Sequence, residues 1–243
     1  MASSAKMADL EALLRVRHLD RTLTSTRLDR PAERMAPVGL SEVDIQIHGG
    51  FPRGQLSELV GTRSTGRTSV LHALLAAATA RGEFVALVDT LDTFDPPSAA
   101  EAGVDLDRLL WVRGPSITQE TAIAPAGDLY QRACERALKA FNLILQVGGT
   151  GTPFCVVLDL VDVPAPVIRR IPFVTWLRLQ RVIEGRDGLG LIVADISLGR
   201  SARGITLHLA GPVEAHALQH SPWQMPQVSY QLSVISSQLL TKS

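Results

Sequence analysis

Aromatic residues and cysteines are scarce in this chain. Phe, Trp and Tyr make up 5% of its 243 residues while 46% are hydrophobic, so aliphatic side chains must build the core. Cys134 and Cys155 fall in patterns typical of a helix and a buried strand, and they lack metal-ligand spacing. We expect both to be small buried residues.

A long apolar run and an excess of charge are also absent. No run approaches the length of a membrane span, and the start has no signal-type apolar segment. Lys plus Arg and Asp plus Glu balance at 24 each, so the net charge gives no bulk attraction to nucleic acid or acidic membranes. We therefore expect a cytoplasmic protein with no membrane partner.

The first 37 residues differ in pattern from the rest. Apolar residues between Met7 and Leu14 lie on one helical stripe. The stretch 21–37 is polar, contains two prolines and shows no period, which is typical of a linker. The sequence predicts an N-terminal helical arm and linker over 1–37, docked on its own core or on a partner, and a core domain over 38–243.

From Gly54 onward, strand and helix patterns alternate. Apolar runs predict strands, and the segments with helical spacing between them predict helices. Strands are predicted at 55–60, 84–89, 109–112, 154–160 and 189–194, and helices at 68–81, from 96, at 128–145 and at about 167–184. This order is typical of an α/β fold with a mostly parallel sheet flanked by helices. Two alternating segments, 204–209 and 227–234, predict closing strands that run antiparallel at the edge of the sheet.

A glycine-containing turn lies between the first predicted strand and helix. Gly61-Thr-Arg-Ser-Thr-Gly66-Arg67-Thr68 matches the phosphate-loop pattern G-x-x-x-x-G-K-[ST] except at Arg67. In such a loop, glycines let the backbone wrap around phosphates and the amides at the helix start point at the anion. Thr68 stands where a hydroxyl holds Mg²⁺.

Arg67 replaces a lysine, and the two are not equivalent at a crowded phosphate site. Arg67 either still binds nucleotide, or it fills the pocket or pairs with a nearby acid and keeps the loop folded while empty. Asp159 ends a strand in the position of a Mg²⁺-binding acid; its alternative is to cap a turn or pair with Arg67. The candidate nucleotide site, functional or vestigial, is Gly61, Gly66, Arg67, Thr68 and Asp159.

The residues around this loop resemble RecA. Gly49-Gly-Phe-Pro-Arg-Gly leads into the loop strand, and Phe84–Asp89, Asp95-Pro96 and Gly103-Val-Asp continue the similarity. The resemblance implies a RecA-like P-loop core.

Three departures from RecA affect positions that its ATPase chemistry uses. Besides Arg67, Leu91 stands where RecA has the glutamate that orients the attacking water. Asp195 and Ile196 stand where it has a glutamine that senses the γ-phosphate. The two loops that RecA uses to hold DNA, after Asp159 and after Asp195, are shortened.

Shortened RecA-like chains of this kind resemble the ImuA family. That resemblance implies a non-catalytic accessory protein of DNA damage tolerance, with no required cofactor, that acts as a scaffold or regulator. It implies as partners an ImuB-like Y-family protein, RecA and an error-prone polymerase of a translesion-synthesis complex. The arm Met7–Leu19 and the strand 227–234 are the expected contact surfaces.

Two alternatives stay open. An ATP-dependent DNA-binding recombinase or ATPase would bind ATP and Mg²⁺ through Arg67, with Asp92 or Glu58 in place of the lost glutamate. A cell-division inhibitor of the SulA type would bind a tubulin-like division protein.

Six arginines lie near the two shortened loops, four on the helix predicted after the first loop and two within the second loop. Arginines on a helix are commonly a solvated face, so we predict weak, salt-sensitive DNA binding at most. They are Arg169, Arg170, Arg178, Arg181, Arg200 and Arg203. His216 and His220 have i, i+4 spacing but no third ligand nearby, so no metal site is predicted.

The arm yields the first test. Deleting residues 1–20 removes the apolar stripe, and we expect this deletion to abolish binding to RecA or to the ImuB-like protein in a pull-down. Unchanged binding would show that the arm is not the contact.

Overall fold

The computed structural model describes residues 35–116, 126–148, 152–198, 204–210 and 231–236. The arm before Met35 lies outside the described residues, and so do residues 227–230 of the last predicted strand. His216, His220, Arg200 and Arg203 lie outside them as well. The compact unit of the chain begins with Met35 and Ala36.

Nine strands are found in the described part of the chain. They are β1 (Met35–Ala36), β2 (Phe51–Pro52), β3 (Gln55–Gly61), β4 (Phe84–Asp89), β5 (Leu109–Arg113), β6 (Phe154–Asp159), β7 (Gly188–Ala194), β8 (Ile205–Ala210) and β9 (Gln231–Ser236). β1 and β2 form a small antiparallel pair. The others form one sheet in the order β5-β4-β6-β7-β3-β8-β9, in which β9 is antiparallel to β8 and the other six strands are parallel.

Helices cover both faces of this sheet because its strands carry apolar side chains on both sides. The helices are α1 (Ser41–Gln46), α2 (Arg67–Ala80), α3 (Pro96–Glu101), α4 (Ala126–Val147), α5 (Ala165–Arg169) and α6 (Phe173–Ile183). Along β6, Cys155 and Val157 pack with α1–α3, while Val156 and Leu158 pack with α4–α6. The predicted α/β fold with a mostly parallel sheet is therefore confirmed.

Two sequence-based expectations were wrong. The helix predicted over 167–184 is divided into α5 and α6, because Pro172 has no amide hydrogen to continue a helix and instead adopts an extended conformation before α6. β8 runs parallel to β3, not antiparallel at the edge. An alternating pattern reports which face a residue occupies, and it is the same for either strand direction.

The expectation that both cysteines are buried is confirmed. Cys134 and Cys155 are buried free thiols, and burial raises the pKa of Cys134 to about 11 and that of Cys155 to about 12. Among the described helices, none has the length and apolar character needed to cross a bilayer.

A buried ion cluster closes the amino-terminal edge of the sheet. The Glu83 carboxylate, beside β4, accepts hydrogen bonds from Arg53 and Arg81, each at 2.5 Å. Arg53 and Glu83 side chains are only 6% and 3% exposed. The same arginines donate to the carbonyl oxygens of Met35, at 3.4 Å, and Pro37, at 3.2 Å. The cluster thus attaches the start of the compact unit to the sheet.

Glu83→Gln tests this cluster. The substitution removes the buried negative charge that Arg53 and Arg81 share and leaves Arg53 only its 3.6 Å contact with the largely exposed Asp187. We therefore expect the free energy of unfolding in urea to fall by about 3–5 kcal/mol. Asp105→Asn is the matched control, because the Asp105–Arg108 pair is half exposed and should contribute less than about 1 kcal/mol. Equal losses in the two variants would contradict the assignment.

Candidate functional site

The glycine-containing turn joins β3 to α2 in the way that the phosphate-loop pattern predicts. Gly66 precedes α2 with φ +81°, a conformation that favours glycine. A Cβ on Gly61 would lie 2.5 Å from the Thr65 hydroxyl oxygen, so a side chain does not fit there. That hydroxyl donates to the Thr62 carbonyl at 2.8 Å and closes the turn. Gly66 is therefore favoured by its backbone conformation, and Gly61 by the close approach of the Thr65 side chain.

A cleft of about 640 Å³ opens beside this loop, at the carboxyl ends of the parallel strands. Its walls come from the loop and α2, from the segment between β4 and α3, and from the ends of β6 and β7. Four of the five predicted site residues line it: Gly66, Arg67, Thr68 and Asp159. The fifth, Gly61, contributes its carbonyl oxygen to Arg67.

Arg67 is directed into the protein and is only 6% exposed. Its Nη1 donates to the Gly61 carbonyl and to the Asp195 carboxylate at the end of β7. The other Asp195 oxygen accepts a hydrogen bond from the Asp162 amide at 3.0 Å. Arg67 therefore forms its ion pair with Asp195, not with Asp159, and this pair fastens the loop to the ends of two strands.

The second cleft arginine is also paired. Arg63 forms a bidentate contact with Asp162, at 3.0 and 3.2 Å. His72 lines the same cleft, and burial lowers its pKa, which favours the neutral imidazole at neutral pH. Within the described lining, each arginine thus already has a carboxylate partner, and an incoming phosphate would have to compete with it.

Asp159 lies at the end of β6 and is 8% exposed. It accepts a hydrogen bond from the Val161 amide at 2.9 Å. Burial raises the pKa of Asp159 to about 7, and the charge of Asp89 adds to this effect while Arg67 opposes it. A carboxyl group with this pKa is partly protonated near neutral pH, which weakens it as a Mg²⁺ ligand. Among the described residues, no group of three or more acids, histidines or cysteines is arranged to hold a metal ion.

The position of the lost glutamate does not face the cleft. Leu91 is 7% exposed and packs in the core on the α4–α6 side of the sheet. Asp92 has φ +59° and forms a bidentate pair with Arg113, at 2.7 and 2.8 Å. Glu58 is buried and accepts hydrogen bonds from Ser197 and from the Leu198 amide, both at 3.1 Å. Neither alternative acid lines the cleft, and both already hold other groups.

Ring contacts between β5 and the cleft were not predicted from the sequence; we call their residues, Trp111, Phe94 and His72, the aromatic wall. Trp111 donates to the Asp89 carboxylate at 3.2 Å, and the Arg113 guanidinium lies 4.4 Å from the centre of the Trp111 ring. Phe94 contacts Trp111 edge-on with centroids 5.4 Å apart, and it contacts His72 in the same manner at 5.8 Å. The sequence signal for these contacts was the alternation of Trp111 and Arg113 along β5.

The partner of Arg67 was missed as well. Asp195 follows an apolar run that predicts a parallel strand, and the carboxyl ends of parallel strands meet at one edge of a sheet. That rule places Asp195 close to the phosphate loop. It does not decide between Asp159 and Asp195 as the acid that Arg67 contacts.

The first four arginines after the shortened loop lie elsewhere. Arg169, Arg170, Arg178 and Arg181 are exposed on and beside α5 and α6. None of them lines the cleft. Only residues 160–164 separate β6 from α5, so the first of the two loops is short, as the sequence indicates.

The raised pKa of Asp159 predicts a pH-dependent stability. The folded pKa of Asp159 lies above that of an unfolded aspartate, which is near 4. Below about pH 4 the carboxyl is protonated in both states and the fold has its full stability; as pH rises through about 7 the buried group ionises and that stability is lost. Asp159→Asn keeps the acceptor for Val161 and removes the buried charge. We expect its melting temperature to exceed that of the wild type by several degrees at pH 8 and to match it near pH 4.

The exposed Asp107 provides the matched control, since Asp107→Asn should change the melting temperature equally at both pH values. A difference between Asp159→Asn and wild type that stays constant from pH 4 to pH 8 would contradict the buried-charge assignment.

Comparison with known proteins agrees with this geometry over part of the chain. The RecA N-terminal domain matches residues 29–129. The chain is similar to Protein RecA of Kineococcus radiotolerans, with 38% identity over 82 residues, which are 33% of this chain and 24% of that protein. It is also similar to Protein RecA of Corynebacterium aurimucosum, with 39% identity over 83 residues, which are 34% of this chain and 22% of that protein.

The chain thus spans about a quarter of the length of the curated relatives it matches. The matched region contains the phosphate loop, β4, α3 and the aromatic wall. Over residues 29–129 the chain therefore resembles the RecA N-terminal domain, and its mostly parallel sheet is consistent with a RecA-like core.

Proposed function

We propose that this protein is a non-catalytic, RecA-like accessory protein of DNA damage tolerance. The observation that carries the proposal is the ion pair between Arg67 and Asp195 in the phosphate loop. The cation that would meet the terminal phosphates is already neutralised by the chain's own carboxylate, in a contact where Arg67 is buried and Asp195 is partly exposed.

The energetics favour this internal pairing over a nucleotide. A phosphate would have to separate Arg67 from Asp195 and leave a carboxylate uncompensated next to its own negative charge. Asp159 and Asp162 add further acidic groups to the cleft. The amides at the start of α2 still favour an anion, but both arginines of the cleft lining are already paired, Arg63 with Asp162 and Arg67 with Asp195, so the anion would have to separate one of these pairs.

The role as a scaffold rests on the resemblance to the ImuA family. In that role the chain would bind an ImuB-like Y-family protein, RecA and an error-prone polymerase, without using ATP. Leu91, packed in the core, supports the loss of hydrolysis because it offers no group to orient a water. The short segment 160–164 supports weak DNA binding or none.

Calorimetric titration of Mg-ATP tests the central observation. We expect no measurable binding by the wild type up to millimolar nucleotide, because Arg67 is occupied. Asp195→Asn removes the competing charge while keeping an acceptor for the Asp162 amide. We expect this variant to gain affinity for Mg-ATP and for inorganic tripolyphosphate by at least tenfold, and Asp105→Asn, which lies outside the cleft, to behave as wild type.

Partner binding is measured on the same proteins. The scaffold proposal requires that complexes with the ImuB-like protein or RecA form without nucleotide and are equally stable in Arg67→Ala. The competing RecA-type ATPase proposal requires ATP turnover by the wild type that is lost in Arg67→Ala and in Asp159→Asn. Such turnover would overturn the proposed function.

A further inference from the structure

The two helices after β6 form a surface of unusual charge. Residues 165–183 contain four arginines and no acidic residue, although the whole chain has zero net charge. All four arginines are exposed. Within the described residues, none of them forms an ion pair.

Apolar side chains share this surface with the arginines. The inner side of α6 buries Trp176, Leu179 and Ile183 against the sheet. Its outer side presents Phe173 and Val174, each 49% exposed, and Leu177, 37% exposed. Two of the arginines lie beside them at helical spacing, since Arg178 follows Val174 by one turn and Arg181 follows Leu177 by one turn, and Arg169 and Arg170 precede α6 in the chain. We name these three apolar residues, with Arg169, Arg170, Arg178 and Arg181, the α5–α6 face.

Acidic residues lie on other helices and at the end of α6. On the opposite side of the sheet, α1 carries Glu42 and Asp44 without a basic residue and α3 ends in Glu101. In the same layer, α4 carries Asp128 and Glu135 among its arginines, and Glu184 follows α6. A partner with negative charge would therefore be attracted to the α5–α6 face more than to these other helices.

The composition of the face favours a protein over a nucleic acid. Exposed Phe, Val and Leu next to arginines resemble the apolar centre and polar rim of a protein interface. Proteins that bind single-stranded nucleic acid commonly stack successive bases on several aromatic side chains, whereas this face offers one, Phe173, beside Val174 and Leu177, which cannot stack. Each arginine can bind a carboxylate through two parallel hydrogen bonds.

We propose that the α5–α6 face is a docking site for an acidic, amphipathic helical segment of a partner protein. Apolar residues of that segment would contact Phe173, Val174 and Leu177, and its Asp or Glu residues would pair with the flanking arginines. This proposal does not depend on whether the cleft binds or hydrolyses ATP.

Selection from a random-peptide display library tests the proposal without presupposing a partner. The full-length wild type serves as bait, and Arg178→Glu/Arg181→Glu is used for counter-selection. We expect enriched peptides to combine Asp or Glu with apolar residues at i, i+3 or i+4 and i+7 spacing. Synthesised peptides should bind the wild type by fluorescence anisotropy and lose at least tenfold in affinity for the double variant and for Val174→Ser/Leu177→Ser.

Three controls make the outcome decisive. Arg132→Glu/Arg136→Glu places the same charge change on the exposed side of α4 and should reduce affinity less than threefold. Circular dichroism and urea midpoints verify that each variant is folded. Arg178→Lys/Arg181→Lys keeps the charge but not the planar fork, and should give an intermediate affinity.

As a last test, the binding of a labelled single-stranded oligothymidine to the wild type is measured. If it binds the α5–α6 face more tightly than any selected peptide, the surface recognises nucleic acid and the proposal is wrong. The proposal also fails if selection yields no peptide, peptides without acidic residues, or peptides that bind the double variant as well as the wild type.

Discussion

The geometry of the cleft depends on one partly buried ion pair, between Arg67 and Asp195. The Arg67 guanidinium stays charged and is only 6% exposed, so its burial would be costly without a counter-charge, which the Asp195 carboxylate after β7 supplies. The consequence extends to the neighbouring loop, because the same carboxylate accepts the Asp162 amide, and Asp162 in turn pairs with Arg63. Three segments distant in sequence are thereby connected through one carboxylate.

The two edges of the sheet are closed by the same physical means. At the amino-terminal edge, Arg53 and Arg81 share Glu83. At the carboxyl-terminal edge, the arginines of the loop use Asp162 and Asp195. With the ends of the sheet neutralised internally, the exposed arginines that have no described ion pair lie on the layer of α4–α6, and they include those of the α5–α6 face. The proposed attraction to a partner therefore acts at the side of the molecule and not at the cleft.

The sequence was sufficient for the fold class and for the location of the cleft. Apolar runs such as that of β6 specify buried parallel strands, and the spacing of Gly61 and Gly66 specifies a phosphate loop. Pairing between distant residues was not accessible, since Arg67 and Asp195 are 128 residues apart and Asp159 satisfies the same rule of convergence. Likewise, the direction of β8 and the burial of Leu91 depend on long-range packing that local patterns do not encode.

The residues shared with RecA and those that depart from it have different roles in this structure. Asp44 accepts the amides of Val38 and Gly39, at 2.7 and 3.0 Å, and Asp95 caps α3. Asp89 accepts two amides of the segment after β4 together with the Trp111 indole. These shared acids are explained by hydrogen bonds within the fold and need no ligand. The departures fall at Arg67, Leu91 and Asp195, whose counterparts in RecA act on a nucleotide. The proposed accessory role requires only that the first set be retained and allows the second to change, so this division supports the proposal more strongly than any single substitution.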